Sequence, residues 1–271
     1  MTLARIGMVD FINTAPLYET WKRTVCRPEW VVTEAAPSRL NRLLMDGDLD
    51  LGYVSSHEYA VRPGLYRLLA DLSISASGRV GSVFLFSRRP VGALGGGLVE
   101  LSPQSQTSNS LVRIVLEDFH GAKPHYRMQG EGRGTPDAVL AIGDQALRLR
   151  AEGGFPVVID LGEAWAERTG LPFVFAVWAV REDFFQRAPE SVAAIRAELL
   201  RCVRQGREDL ASISREVAAR IPMEPSACRA YLAGIEYDLG AEKMKGLERF
   251  YEILIQRGEA DPAALPLKFC G

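Results

Sequence analysis

Hydroxyl side chains concentrate in three stretches of this chain: Ser55-Ser56, Ser77-Gly78 through Ser82, and Ser105-Gln106-Thr107-Ser108-Asn109. Hydroxyls and free backbone N–H groups are neutral donors, and at the start of a helix they meet an anion where the helix dipole is positive. The third stretch runs into helical spacing and has that setting, although each stretch taken alone also fits a capped helix or a solvated turn. All three follow strand-like runs, so one rim could gather them. Asn13 stands with Thr14 and Pro16 at the end of the first such run, where its amide could donate to a carboxylate, accept from a hydroxyl, or close an Asx-turn. Asp144 opens the turn after another apolar run and could act as a base, anchor a hydroxyl or cap the following helix. Asn13 and Asp144 are therefore the candidate catalytic residues. Ser55, Ser56, Ser77, Gly78, Ser82, Ser105, Gln106, Thr107 and Ser108 are the candidate substrate-binding residues.

Other chemistries find little support. Of the histidines, His57 falls in a strand-end loop, and His120 and His125 read as surface positions near Gly121 and Pro124. No nucleophile elbow, metal-ligand spacing or Walker loop is visible, and Gly95-Gly96-Gly97 does not match a dinucleotide fingerprint. Arg79 and Arg133 could pair with an anion, although lone loop arginines are more often solvated. With 32 Lys+Arg against 34 Asp+Glu and no block of one sign, the chain lacks the field that nucleic acid or an anionic membrane would require. Cys26, Cys202, Cys228 and Cys270 lie far apart and read as reduced thiols, and residues 1–19 enter a strand without a leader-like pattern. A cytoplasmic protein is expected. The apolar run 171–180 contains Pro172 and is far shorter than the ~20 residues that span a bilayer, so it reads as a buried strand.

The elements that must position these residues alternate. Residues 4–9 read as a strand, 17–24 as a helix, a helix carrying Leu40, Leu43 and Leu44 stops at Gly47, and 49–54 form another strand. Farther on, 80–87, 99–101, 138–142 and 173–180 read as strands, with 91–97 a glycine-rich connection and 111–119 and 146–150 helical. From Pro189 no strand is evident: Val192, Ile195, Leu199 and Val203 keep helical period, as do 212–221, 227–235 and 242–257. This predicts an α/β fold of two lobes. Residues 1–85 together with 179–271 form the first lobe and its C-terminal helical segment, and 86–178 form the second. The runs 80–87 and 173–180 bracket the second lobe and are expected to pair as two crossover hinge strands. That arrangement resembles type II periplasmic binding proteins.

The strings IGMVDFINTAPLY, LDLGYVSSHEY, ISASGRVGSVFLFS, LSPQSQTSNSLVRIVL, AVLAIGDQAL and DLGEAWAERTGLPFVFAVW, in this order between Ile6 and Tyr251, resemble the chorismate dehydratase family of the futalosine route to menaquinone. Asp10 and Phe11 depart from the Asn-Tyr pair common in that family, and Arg79 falls at a variable place. The resemblance implies loss of water from chorismate to give 3-[(1-carboxyvinyl)oxy]benzoate without metal or cofactor. Chorismate is a dianion with a ring hydroxyl, which suits hydroxyl-rich loops and helix N-termini. The implied chemistry has the substrate's own enolpyruvyl carboxylate, pinned by Asn13, remove the ring proton, with Ser82, Ser105, Thr107 and Ser108 holding carboxylates or the departing hydroxyl and Asp144 as the reserve base. Two alternatives stand beside it. One is 1,4-dihydroxy-6-naphthoate synthase of the same pathway, associated with a histidine where this chain has Gly143-Asp144; the other is a non-catalytic carboxylate-binding protein. Oligomeric state is left open.

Overall fold

The computed structural model describes residues 2–270. The first sheet-forming stretch runs β1 (Ala4–Met8), α1 (Ala15–Thr24), β2 (Trp30–Glu34), α2 (Pro37–Asp46), β3 (Leu51–Ser55), α3 (Ser56–Val61) and β4 (Tyr66–Ala76). A second stretch follows as β5 (Val83–Ser87), β6 (Leu98–Leu101), α4 (Gln106–Arg113), β7 (His125–Met128), β8 (Ala138–Ile142), α5 (Gly143–Glu152), β9 (Val157–Asp160) and α6 (Leu161–Thr169). α4 runs on into a π-helical turn at Ile114–Phe119. The chain then returns through β10 (Phe173–Arg181) and ends in α7 (Glu182–Arg187), α8 (Pro189–Glu208), α9 (Leu210–Val217), α10 (Pro225–Gly234) and α11 (Ala241–Gln256).

Two five-stranded sheets result, ordered β2-β1-β3-β10-β4 and β7-β6-β8-β5-β9. In each, three parallel strands are followed by one antiparallel strand. The fold is therefore the expected two-lobed α/β arrangement, and after β10 only single bridges at Glu236 and Phe269 interrupt the helices among the described residues.

One expectation is corrected. The runs 80–87 and 173–180 do not pair with each other: β5 lies between β8 and β9, and β10 lies between β3 and β4. Every residue of β5 is buried, and a strand buried on both faces needs ladder partners on both edges, which a two-stranded ribbon between lobes would not supply. Each of these strands is instead the first to enter its lobe from the other, and it inserts antiparallel to its neighbours. The chain crosses between the sheets at 77–82 and 161–172, so the limits drawn at 85/86 and 178/179 fall inside β5 and β10.

The main apolar core runs through both lobes, and a smaller cluster joins them at one side. There Ile12 and Ala15 of the first lobe and Leu147 of the second pack with Ile213, Val217, Ile221, Cys228 and Leu232. The α9–α10 pair thereby bridges the lobes. The carboxyl ends of β1, β3 and β8 meet between the lobes, where open α/β sheets bind ligands.

Candidate active site

Between the lobes lies a cleft whose walls come from four directions. The end of β1 gives Phe11, Asn13 and Thr14; β3 gives Tyr53 and Ser55; the crossover gives Val80 and Ser82; and the start of α4 and α5 gives Ser105, Ser108 and Gly143. Phe175 and Ala176 of β10 complete it, and no lining residue is charged. About 50 Å³ is free inside, against ~300–1,000 Å³ for ordinary small-molecule sites. The lobes must part to admit a ring-sized guest.

Asn13 sits on a 3-10 turn, Ile12–Thr14, that is fixed from several sides. The Thr14 hydroxyl is within hydrogen-bond distance of the carbonyls of Val9 (2.6 Å) and Phe11 (2.8 Å), and the Tyr237 hydroxyl donates to the Asn13 carbonyl at 2.7 Å. Its side-chain Oδ1, by contrast, is buried and has no partner. The same holds for Ser55 Oγ and Ser82 Oγ. A buried polar atom left unpaired costs about 1–3 kcal/mol. Three such atoms belong to residues that line one cleft and come from three different elements.

The fourth wall is a helix start. Ser105 caps α4, its Oγ accepting from the Ser108 N–H at 3.2 Å, with the Ser108 hydroxyl 3.1 Å from it. The positive end of α4 thus opens on the cleft beside two hydroxyls, a setting for an anionic group.

Not every candidate residue reaches this cleft. Ser56 donates to the Val174 carbonyl at 2.8 Å and lies 3.2 Å from the Thr107 hydroxyl, which accepts from His57 N–H at 3.0 Å. Gln106 Oε1 accepts from Asn41 Nδ2 at 2.6 Å. Ser56, Gln106 and Thr107 therefore fasten α3 and α2 to α4 across the lobes rather than line the cleft. Ser77 is tied through its N–H and hydroxyl to Glu236, and Gly78 is a half-buried turn residue with φ +118°. Asp144 is also outside the lining. Its Oδ1 accepts from the Ile12 N–H at 3.0 Å, so it caps the turn carrying Asn13 from the opposite lobe, and burial raises its pKa. Arg79 pairs with Glu163, and Arg133, His120 and His125 are exposed. His57 is half-buried, its Nδ1 without a partner, and burial lowers its pKa.

Residues not singled out from sequence hold the site in shape. Asp160 accepts from four backbone N–H groups, Val80 (3.1 Å), Gly81 (2.8 Å), Gly162 (2.9 Å) and Glu163 (3.2 Å), so one carboxylate both caps α6 and pins the loop that presents Ser82. The pattern Asp160-x-x-Glu163 before a helix is a readable capping signal; its second duty to Val80 and Gly81 is not local in sequence. Asn41 Oδ1 accepts from the Ser55 N–H at 3.1 Å and sets the end of β3. Asp160→Ala is expected to lower stability by about 2–4 kcal/mol, because it strands buried donors and removes a cap. Activity should fall with it through a loosened Ser82, and thermal melting with steady-state rates on the same preparation checks both.

Among the described residues no helix is long and apolar enough to cross a membrane, and no group of three or more His, Cys, Asp or Glu is placed to hold a metal. The chain is 33% identical to a chorismate dehydratase of Thermus thermophilus over 92% of its own length and 94% of that protein. It is 26% identical to a 1,4-dihydroxy-6-naphtoate synthase of the same organism, over 84% of each chain. Its fold is that of periplasmic binding proteins: the periplasmic aliphatic sulphonate binding protein SsuA from Escherichia coli superposes with a TM-score of 0.63 at 16% identity, covering 95% of this chain and 88% of that one. The menaquinone biosynthesis family model matches residues 4–256, and with these two lobes and this shared cleft the chain belongs to that family.

Proposed function

We propose that this chain is a chorismate dehydratase, a hydro-lyase that converts chorismate to 3-[(1-carboxyvinyl)oxy]benzoate without a cofactor and works in the cytoplasm. One observation supports this above the rest: an uncharged cleft between the lobes in which Asn13 Oδ1, Ser55 Oγ and Ser82 Oγ lack well-formed bonds and the start of α4 faces the site. A dianion with a hydroxyl can satisfy all of them at once, its carboxylates taking donors from hydroxyls and helix N–H groups and its ring hydroxyl meeting an acceptor. The relative at 33% identity carries the dehydratase name, and the synthase relative is the weaker match at 26%. Gly143-Asp144 stands where the synthase reading would want a histidine.

Elimination makes the ring aromatic and is strongly downhill, so the protein's task is to hold the conformer that loses water rather than rearranges. On this reading the substrate's enolpyruvyl carboxylate, oriented by the Asn13 amide N–H, takes the ring proton; the freed C–H pair becomes the new ring double bond, and the hydroxyl leaves with the C–O electron pair and picks up that proton to depart as water. Asp144 serves as a positioning residue, because its Oδ1 is already committed to Ile12. Closure keeps water from the reacting face. The purified chain, without added metal, is expected to consume chorismate and release the aromatic enol ether, seen by ultraviolet absorbance and confirmed by mass. A folded preparation that binds chorismate but leaves its spectrum unchanged would make this a carboxylate-binding protein instead.

A further inference from the structure

The α9–α10 pair that bridges the lobes also packs on the crossover loop, behind the cleft wall. Tyr231, on α10, packs its ring against the crossover loop, 3.3 Å from where a Cβ on Gly81 would stand. One side of the residue borders an outer groove with Leu147, Ile221 and Met223. Its phenolic oxygen is buried and lies beside Ser82, with no well-formed hydrogen bond to that hydroxyl or to any other group. Ser82 Oγ is itself unpaired and its residue lines the cleft. Burial raises the phenol's pKa, which keeps it a proton-bearing donor. Two adjacent buried hydroxyls, one from the crossover and one from the capping helices, with no well-formed bond between them or to any other group, are poorly explained as folding contacts. An unpaired hydroxyl adds nothing to the stability of the empty fold.

From this geometry we infer that Tyr231 and Ser82 form a two-hydroxyl subsite that holds one oxygen of the bound substrate, so that α10 is part of the substrate-binding surface. The inference rests on the dehydratase reading for the identity of the guest. It also explains why α9–α10 packs on both lobes: the pair closes the cleft by supplying a ligand contact as well as apolar cover.

The test compares wild type, Tyr231→Phe, Ser82→Ala and the double variant in three measurements. In steady-state kinetics with chorismate, each single variant is expected to lose about ten- to hundredfold in kcat/KM, the range for a hydrogen bond to a charged or strongly polar group. The double variant should be little worse than either, since the two hydroxyls share one oxygen. Calorimetric affinity for the aromatic product should weaken in the same order. The ligand-free melting midpoint of Tyr231→Phe should stay or rise. Unchanged kinetics and affinity in Tyr231→Phe, losses that simply add in the double variant, or a lower ligand-free melting midpoint would each overturn the inference, the last by showing a structural role. Were the wild type itself unable to convert chorismate, the dehydratase reading would fail on its own, and the melting comparison would still judge whether the Tyr231 hydroxyl supports the empty fold.

Discussion

Asn13→Ala is expected to reduce turnover of chorismate by about 10²–10⁴-fold, the range spanned by loss of a positioned proton-transfer arrangement, while the protein remains folded. The fold should survive because the turn under Asn13 is held by other groups: Thr14 hydroxyl contacts, the Tyr237 hydroxyl on the Asn13 carbonyl, and Asp144 on Ile12. The amide oxygen contributes no bond to the empty chain. Asp144→Asn is the necessary companion. Asparagine keeps an oxygen for the Ile12 N–H, so near-normal turnover is expected, whereas Asp144→Ala strands that N–H and should cost activity through Asn13. Burial raises the Asp144 pKa, so the folded state holds this proton more tightly than the unfolded chain. Its favourable contribution is full below the ordinary aspartate value and is lost as pH rises through the folded value. Asp144→Asn should therefore gain stability relative to wild type from acid toward neutral pH, read from melting midpoints across that range. Normal turnover by Asn13→Ala would remove the substrate-assisted mechanism, and a dead Asp144→Asn would return the role of base to Asp144.

The features legible in sequence were those set by local rules. Strand-like runs and the Gly47 stop of α2 depend on residues within a turn of one another, and they appear where the pattern put them, whereas α4 starts at Gln106, five residues ahead of the helical run read from Leu111, because the Ser105 cap sits inside a polar stretch. Ser55, Ser105 and Ser108 reach the cleft because they end a strand or start a helix at the rim, and Asn13 and Ser82 because they stand in the turn after β1 and the crossover before β5. Ser56, Thr107 and Gln106 sit one residue from those positions and face elsewhere, since one step along a strand end or helix start turns a side chain away. Ser56 and Thr107 share chemistry with their neighbours, and only the packing of α3 on α4 distinguishes a contact between lobes from a contact to a ligand. The strand pairing was misread for a related reason: β5 and β10 have the composition of buried strands, but composition does not say which edges bury them. Asp160 and Tyr231 act over long separations, on Val80 and beside Ser82, and no short-range signal in the sequence reports that.

Gly143→Ala should show how closely the lobes must meet. Gly143 begins α5 in the second lobe with φ +54°, and its N–H donates to the Ser82 carbonyl at 2.8 Å. An alanine there carries a left-handed backbone cost of about 1–2 kcal/mol. Its methyl would also stand 2.9 Å from Phe11 Cδ2 and 3.2 Å from Cγ, on the first lobe. Phe11 lines the cleft, so it can yield only by swinging into the site or by letting the lobes part. Either displacement is enough for a loss of about 10²-fold in kcat/KM, the effect of misplacing reacting groups by about 1 Å. The melting midpoint should fall by only a few degrees, in line with the backbone cost. Backbone strain and the wedge separate in Gly143→Ala combined with Phe11→Ala, where removal of Cγ and the ring clears the methyl. Partial recovery of kcat/KM with no recovery of melting would assign the kinetic loss to lobe contact, because strain in the α5 backbone is the same in both proteins. Full activity in Gly143→Ala alone would mean that catalysis proceeds without closure at this contact, and water exclusion would then have to come from the α9–α10 cap.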